Sequence, residues 1–332
     1  TAVFNTNLIW KPGDTGKITI TFDDRSGAWS YLGIESKSKS PSMNLGWVDA
    51  PLGSFSQDGF TFDESLFINT GRNYCQATQS CQRDGDILFD SDDNKYVCEN
   101  GVACIEGFEP GSVVLHEFGH ALGMYHEHQN FLEPGNPIKY DIDGATLFSL
   151  SQQHGSNDSC VQAYCKKMCY DDKVRPQFCQ EGCDENIGIS SSCQSKWNEA
   201  QRMADTNVLE RYECTDSNCP YAGSSYDNDS VMLYQVDDYM IEPGENGVRE
   251  NPTKPNFTYS NSDKEWLSIM YPLDNVNPPK ITVEFLNGQD WQKYWVKKVI
   301  MEKLKPCVGI DFIFNLPVID ETIYANECVF RS

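Results

Sequence analysis

The chain has 332 residues, 39% of them hydrophobic and 12% aromatic, and a formal net charge of −23. That length suits one large domain or two small ones, and the apolar share suffices for a packed core. Acidity on this scale repels nucleic acid and anionic membrane surfaces, and no apolar run is long enough to span a bilayer, so neither kind of partner is expected.

From the N-terminus, "KITITF" (Lys17–Phe22) alternates and is β-branched, which predicts a strand. "GAWSYLG" and "PSMNLGW" follow, with Trp29, Tyr31 and Trp47 as large anchors. Residues 73–108 read as a cysteine-rich insertion; within it the carboxylate-rich "DGDILFDSDDN" (Asp84–Asn94) offers either a calcium (Ca2+) site or a solvated acidic loop. Ser112 is a candidate N-cap for a helix over "VVLHEFGHALG", and Gly123 its stop. "YDIDGATLFSLSQQ" predicts a second helix, residues 155–195 a second stapled insertion with six cysteines, and Trp197–Tyr212 a further helix. In "NSDKEWLSIMYP" Ser262 and Glu265 predict a capping box opening a short helix that Pro272 ends. Residues 273–279 read as a linker. Beyond it come a strand in "KITVEFLNG", an amphipathic helix in "DWQKYWVKKVIMEKL", with Trp291, Trp295 and Val299 four apart, and a strand in "GIDFIFNL".

All 14 cysteines lie without zinc-finger spacing, most of them in polar stretches. That favours disulfides and a secreted, extracellular location over metal–thiolate sites. Sequons at Asn157, Asn228 and Asn256 agree with secretion, with Asn228 expected to stay unmodified because it precedes a packed turn. The start at Thr1 rather than Met is expected to reflect either a removed leader or the numbering of a mature form.

Four of the five histidines fall within Val113–Asn130, "VVLHEFGHALGMYHEHQN". Residues four apart share one face of a helix, so His116 and His120 can hold one metal through two imidazoles. Gly123 can adopt a positive φ and turn the chain, which brings His126 back as a third nitrogen ligand. Three neutral nitrogens with an open fourth position describe a catalytic zinc (Zn2+) site. Glu117 lies one step round the helix, poorly placed as a ligand and well placed as general base for a water activated by the metal. Hydrolysis of a peptide bond suits this set, with proteins or peptides as substrates. HExxHxxGxxH fixes five positions at once and is the metzincin pattern, which continues downstream into a methionine turn. "SVMLY" (Ser230–Tyr234) supplies one, with Met232 as an apolar floor under the histidines. His128 and His154 read as structural or surface residues.

The stretch His116–Glu127, with its glutamate directly after the third histidine, and the "SVMLY" turn resemble the astacin-like metallopeptidases. Together with "ITITFDDRSGAWSYLG…PSMNLGW", "NPIKYD" and "SNSDKEWLSIMYP", the resemblance extends over most of residues 17–272 and is closest to microbial and fungal secreted members. It implies His116, His120 and His126 as zinc ligands and Glu117 as general base. Tyr234 would be a fifth ligand that swings to stabilise the tetrahedral intermediate. It also implies an α/β (α+β) zincin fold: a twisted mixed five-stranded sheet beside the active-site helix, an irregular C-terminal subdomain, and disulfide-stapled insertions. Glu127 would pair with the mature N-terminus.

The sequence departs from that family in its long gap between His126 and Met232. It departs also in order: the strand–helix–strand unit with which such peptidases open is missing upstream, and a similar unit lies at Lys280–Leu316. A circular permutation is therefore expected, in which residues 1–272 form the catalytic domain and 280–332 complete it. The alternative for that segment is a separate appendage. The alternative function is a catalytically silent zinc-binding structural or adhesion module. Against it stands Glu117, since a structural site needs no base.

Overall fold

The computed structural model describes residues 4–23, 28–46, 111–130, 138–170, 174–205, 221–243 and 256–316, apart from 177, 181, 224, 234, 235, 237 and 257. Between residues 53 and 98 it describes the course of six short strands. Thr1, Trp47, Tyr234, Cys104, Cys214, Cys219, Cys328 and the side chains of the acidic stretch 84–94 and of Cys75, Cys81 and Cys98 lie outside the described residues.

The first short strand, β1 (Phe4–Asn5), precedes β2 (Thr15–Thr21), β3 (Trp29–Ser30) and β4 (Met43–Asn44). Six short strands between residues 53 and 98 form three antiparallel hairpins: β5 (Gly53–Ser56) with β6 (Gly59–Phe62), β7 (Phe67–Asn69) with β8 (Tyr74–Gln76), and β9 (Ile87–Asp90) with β10 (Lys95–Cys98). Then come helices α1 (Ser112–Ala121), α2 (Ile142–His154), α3 (Ser159–Met168) and α4 (Ser191–Ala204) and the strand β11 (Tyr221–Ala222). The chain continues through α5 (Asn261–Met270), β12 (Lys280–Phe285), α6 (Asp290–Val299) and β13 (Asp311–Phe314).

One sheet has five strands in the order β13-β12-β2-β4-β3. It is mixed: β12 runs parallel to both β2 and β13, β4 runs parallel to β2, and β3 closes the far edge antiparallel to β4. Residues at the far end of the chain thus pair with residues at its beginning, Lys280 opposite Thr15 and Phe285 opposite Ile20. The alternation read in "KITITF" places Ile18 and Ile20 in the core, and Ile281 and Val283 of β12 do the same beside them; all four are fully buried. Between β12 and β13 the amphipathic face of α6, with Trp295, Val296 and Val299, continues through one π-helical turn, Ile300–Leu304, into the same core as Val114, Leu115 and Phe118 of α1. This parallel strand–helix–strand unit covers the sheet face on which α1 lies.

The helix ends differ from the sequence expectations in two places. Helix α1 is preceded by Gly111, at φ +94°, and not capped by Ser112. A Cβ on Gly111 would lie 2.7 Å from Val299 Cγ2, so close packing against α6 takes the place of a capping side chain. The capping box of α5 is Ser260 with Asp263, two residues upstream of the Ser262–Glu265 pair, because both Ser260 and Asp263 turn inward and are held by further bonds below the metal centre.

The region after α1 is less irregular than expected. Helices α2, α3 and α4 start at Asp141, Asp158 and Ser190, whose side chains accept hydrogen bonds from the first helical turn. The second insertion contains α3, which the scarcity of helical periodicity concealed. Its six cysteines form three disulfides, Cys160–Cys193, Cys165–Cys179 and Cys169–Cys183. The first joins α3 to α4, where Tyr164 stacks on Trp197. Three disulfides fit a secreted protein. Among the described residues no helix is long and apolar enough to cross a membrane.

Candidate metal centre

Helix α1 brings His116 and His120 to one face, as their spacing requires. After Ala121 the chain turns at Gly123, which adopts φ +94° as expected, and returns His126 to the same point. The three imidazoles each offer one nitrogen, and these atoms all lie within 4.8 Å of one another; His120 Nε2 and His126 Nε2 face each other at 2.9 Å. The inner nitrogens are fixed by the backbone. His116 Nδ1 donates to the Val231 carbonyl at 2.8 Å, and His120 Nδ1 donates to the Met124 carbonyl at 2.7 Å. A carbonyl only accepts, so both rings carry their proton on Nδ1 and turn a lone pair on Nε2 toward the shared point. The third ring stacks on His128, with centroids 4.9 Å apart. His128 is buried and stays outside the cluster, and His154 is exposed.

Burial disfavours charge on these rings. It pushes the His116 imidazole down to about 4 and that of His120 to about 3, where the neighbouring His116 adds to the effect. His126 is held well below its ordinary value for the same reasons. Each ring on its own therefore makes the fold less stable as the pH falls from about 6.5 toward its lowered value, and the raised Glu117 and Glu127 carboxyls work the other way. We expect all three imidazoles of the metal-free protein to remain neutral at pH 5.5, read from ring nitrogen chemical shifts. Protonated rings at that pH would contradict their burial.

Glu117 is 3% exposed, and its Oε2 has no hydrogen-bond partner among the described residues. Burial pushes its carboxyl up to about 8. Glu117 thus presents a buried carboxyl with an uncommitted oxygen one residue from a candidate metal ligand.

The methionine turn forms the floor. Met232 is fully buried, and a Cβ on Gly119 would sit 2.5 Å from its Sδ and 3.3 Å from that of Met124. Glycine at 119 thus lets both sulfurs approach the helix between the two histidines. Gly119→Ala is expected to cost about 1–3 kcal/mol of stability through overpacking, measurable by urea unfolding; an unchanged midpoint would mean the methionines move aside freely.

Glu127 is fully buried and acts as a tie rather than a ligand. Its backbone N–H donates to the Met232 carbonyl, and its Oε1 accepts from Asn130 Nδ2 and from the Asp227 N–H, which fastens the returning chain to the methionine turn. The carbonyls at the end of α1 are satisfied from outside: Trp10 Nε1 donates to Ala121 and Tyr271 Oη to Leu122. Val231, Met124, Asp263 and Tyr271 sit inside the recognised stretches at positions to which the sequence assigns no role, and Trp10 lies outside them. The cap-like spacing of Ser260 and Asp263 was the one available signal, and the Ser262–Glu265 pair masked it.

The family model Matrixin matches residues 43–134, a minor part of the chain that includes α1 and all three clustered histidines. No curated protein matches. Among solved structures, one described as the structure of myroilysin aligns at 18% identity and a TM-score of 0.38, covering 81% of this chain and 98% of that chain. The Matrixin match and the three-imidazole cluster support a zinc metallopeptidase of the metzincin type.

Proposed function

We propose that the protein is a secreted zinc-dependent endopeptidase of astacin-like character. The observation that carries this reading is the convergence of His116, His120 and His126, with the Nδ1 atoms of His116 and His120 anchored on backbone carbonyls and Glu117 beside them with an uncommitted buried oxygen. The donor set fits zinc: three neutral nitrogens at one point, with no fourth protein ligand among the described residues. A zinc ion held there supplies a Lewis acid that polarises the scissile carbonyl and acidifies water. His116, His120 and His126 would hold it. Glu117 takes the proton from the attacking water and passes it to the leaving amine. Met232 and Gly119 keep the floor beneath the rings dry and close.

Tyr234 lies two residues beyond Met232, and by its place in the SVMLY turn it would donate its phenol to the substrate's developing oxyanion. Tyr234→Phe is then expected to lower kcat about 10²-fold with little change in KM. Hydrolysis of an internally quenched peptide tests the whole reading: a chelator should abolish it and added zinc restore it. Activity that survives full zinc removal would reject the metallopeptidase reading.

We further read residues 280–316 as part of the same catalytic domain, reached by circular permutation. Parallel pairing of β12 with β2 and the shared core with α1 support this. The unit that such peptidases carry at their start is here supplied from the opposite end of the chain.

A further inference from the structure

The reading above leaves one buried carboxylate unused. Asp263 is fully buried at the start of α5. Its bland role is to cap that helix: Oδ2 accepts from the Ser260 N–H at 3.0 Å while the Asp263 N–H donates to Ser260 Oγ at 2.9 Å. Its remaining bonds point elsewhere. Oδ1 accepts from Ser230 Oγ at 2.8 Å, and Oδ2 also accepts from the Val231 N–H at 3.0 Å. Ser230 Oγ in turn accepts from the Met232 N–H at 3.1 Å. The peptide units on both sides of Val231 are thereby fixed, and it is the Val231 carbonyl that accepts from His116 Nδ1.

We propose that Asp263 is a positioning residue for the metal centre, holding the Val231 carbonyl where it orients the His116 imidazole. The relay runs from carboxylate to peptide N–H, through one residue, and from its carbonyl to the ring. It resembles the direct carboxylate–histidine pairs that orient metal ligands, with a backbone unit inserted. A carboxyl side chain fits this task because its two oxygens accept from Ser230 Oγ, the Val231 N–H and the Ser260 N–H at once. Val231 has no side-chain means of fixing its own carbonyl; the Met232 N–H in the same peptide plane is held by Ser230 Oγ, which Asp263 Oδ1 holds in turn. The inference rests on the reading of His116, His120 and His126 as a zinc site.

The test separates positioning from a purely structural role. Zinc affinity is measured by competition with a chromogenic chelator, and the visible spectrum of the cobalt-substituted protein reports the ligand geometry. Four proteins are compared: the native chain, Leu267→Ala, Asp263→Asn and Asp263→Ala. Leu267→Ala opens a cavity under the same helix but keeps every bond of Ser260 and Asp263, so it should lower thermal stability while native affinity and spectrum persist. Asp263→Ala should weaken zinc binding about 10–100-fold and shift the cobalt bands. Asp263→Asn keeps the shape and one acceptor oxygen and should fall between, which decides the matter if the alanine variant does not fold. A folded Asp263→Asn or Asp263→Ala protein with native affinity and an unshifted spectrum would overturn the positioning role alone. A native chain that binds no zinc would overturn the site reading and this inference with it.

Discussion

Replacing Glu117 with glutamine is expected to lower kcat about 10²–10⁴-fold, equivalent to about 3–5 kcal/mol of barrier, while zinc stays bound. The three imidazoles owe their geometry to the α1 backbone, to Gly123 and to the Val231 and Met124 carbonyls, and the hydrogen bonds that orient His116 and His120 do not involve the Glu117 side chain. Glutamine has the same shape and stays uncharged, so it should be tolerated where burial already disfavours the carboxylate's charge. The loss should fall on kcat rather than on KM, since a base acts in the transition state and not in ground-state binding. Steady-state kinetics together with zinc content separates this from collapse of the site. A glutamine variant with native kcat would remove Glu117 from the mechanism.

The second large effect is expected from shortening the chain. A protein ending at Pro279 should neither fold nor retain zinc. Such a cut removes β12, which lies between β2 and β13, and with it Ile281, Val283, Val296, Ile300, Leu304, Val308 and Ile310, all fully buried. At about 1.5–3 kcal/mol for each buried aliphatic side chain, the loss is on the order of 10–20 kcal/mol, as large as the whole stability of an ordinary domain. It would also strip the cover from α1, whose Gly111 packs against Val299. A milder version is Ile300→Ala, expected to cost about 2–5 kcal/mol. Circular dichroism and zinc content of the shortened chain check this. A folded, zinc-binding protein ending at residue 279 would show that residues 280–316 are an appendage.

The legible part of the molecule was the part in which local spacing dictates geometry. His116 and His120 four apart on a helix, Gly123 at the turn and His126 beyond it specify their meeting point almost without reference to the rest of the fold. Ile18 and Ile20 alternate, so β2 could be read directly, and the face formed by Trp295 and Val299 gave α6. Pairing between β12 and β2 joins residues about 265 apart, and nothing in either strand alone names its partner; only the likeness of the 280–316 segment to the opening unit of astacin-like peptidases suggested it. The second insertion hid α3 because cysteines and short polar residues blur a 3.6-residue period, whereas the disulfides and the Asp158 cap stabilise the helix anyway. Capping was misread at α5 because two overlapping Ser-x-x-acid pairs, Ser260–Asp263 and Ser262–Glu265, compete in the sequence, and the choice is made by tertiary bonds to Ser230, Val231 and Asp227. Those same bonds are why the support beneath the metal centre could not be read: each lies between residues distant in sequence and runs through backbone atoms that carry no residue identity.

The most direct measurement is cleavage of unfolded casein, with the fragment ends identified by mass spectrometry, by the zinc-loaded native protein, the chelated protein and a zinc-retaining Glu117→Ala variant. The account predicts internal cuts by the native protein and none by the other two. A native protein that holds stoichiometric zinc yet leaves casein intact would contradict it and favour a silent zinc-binding module.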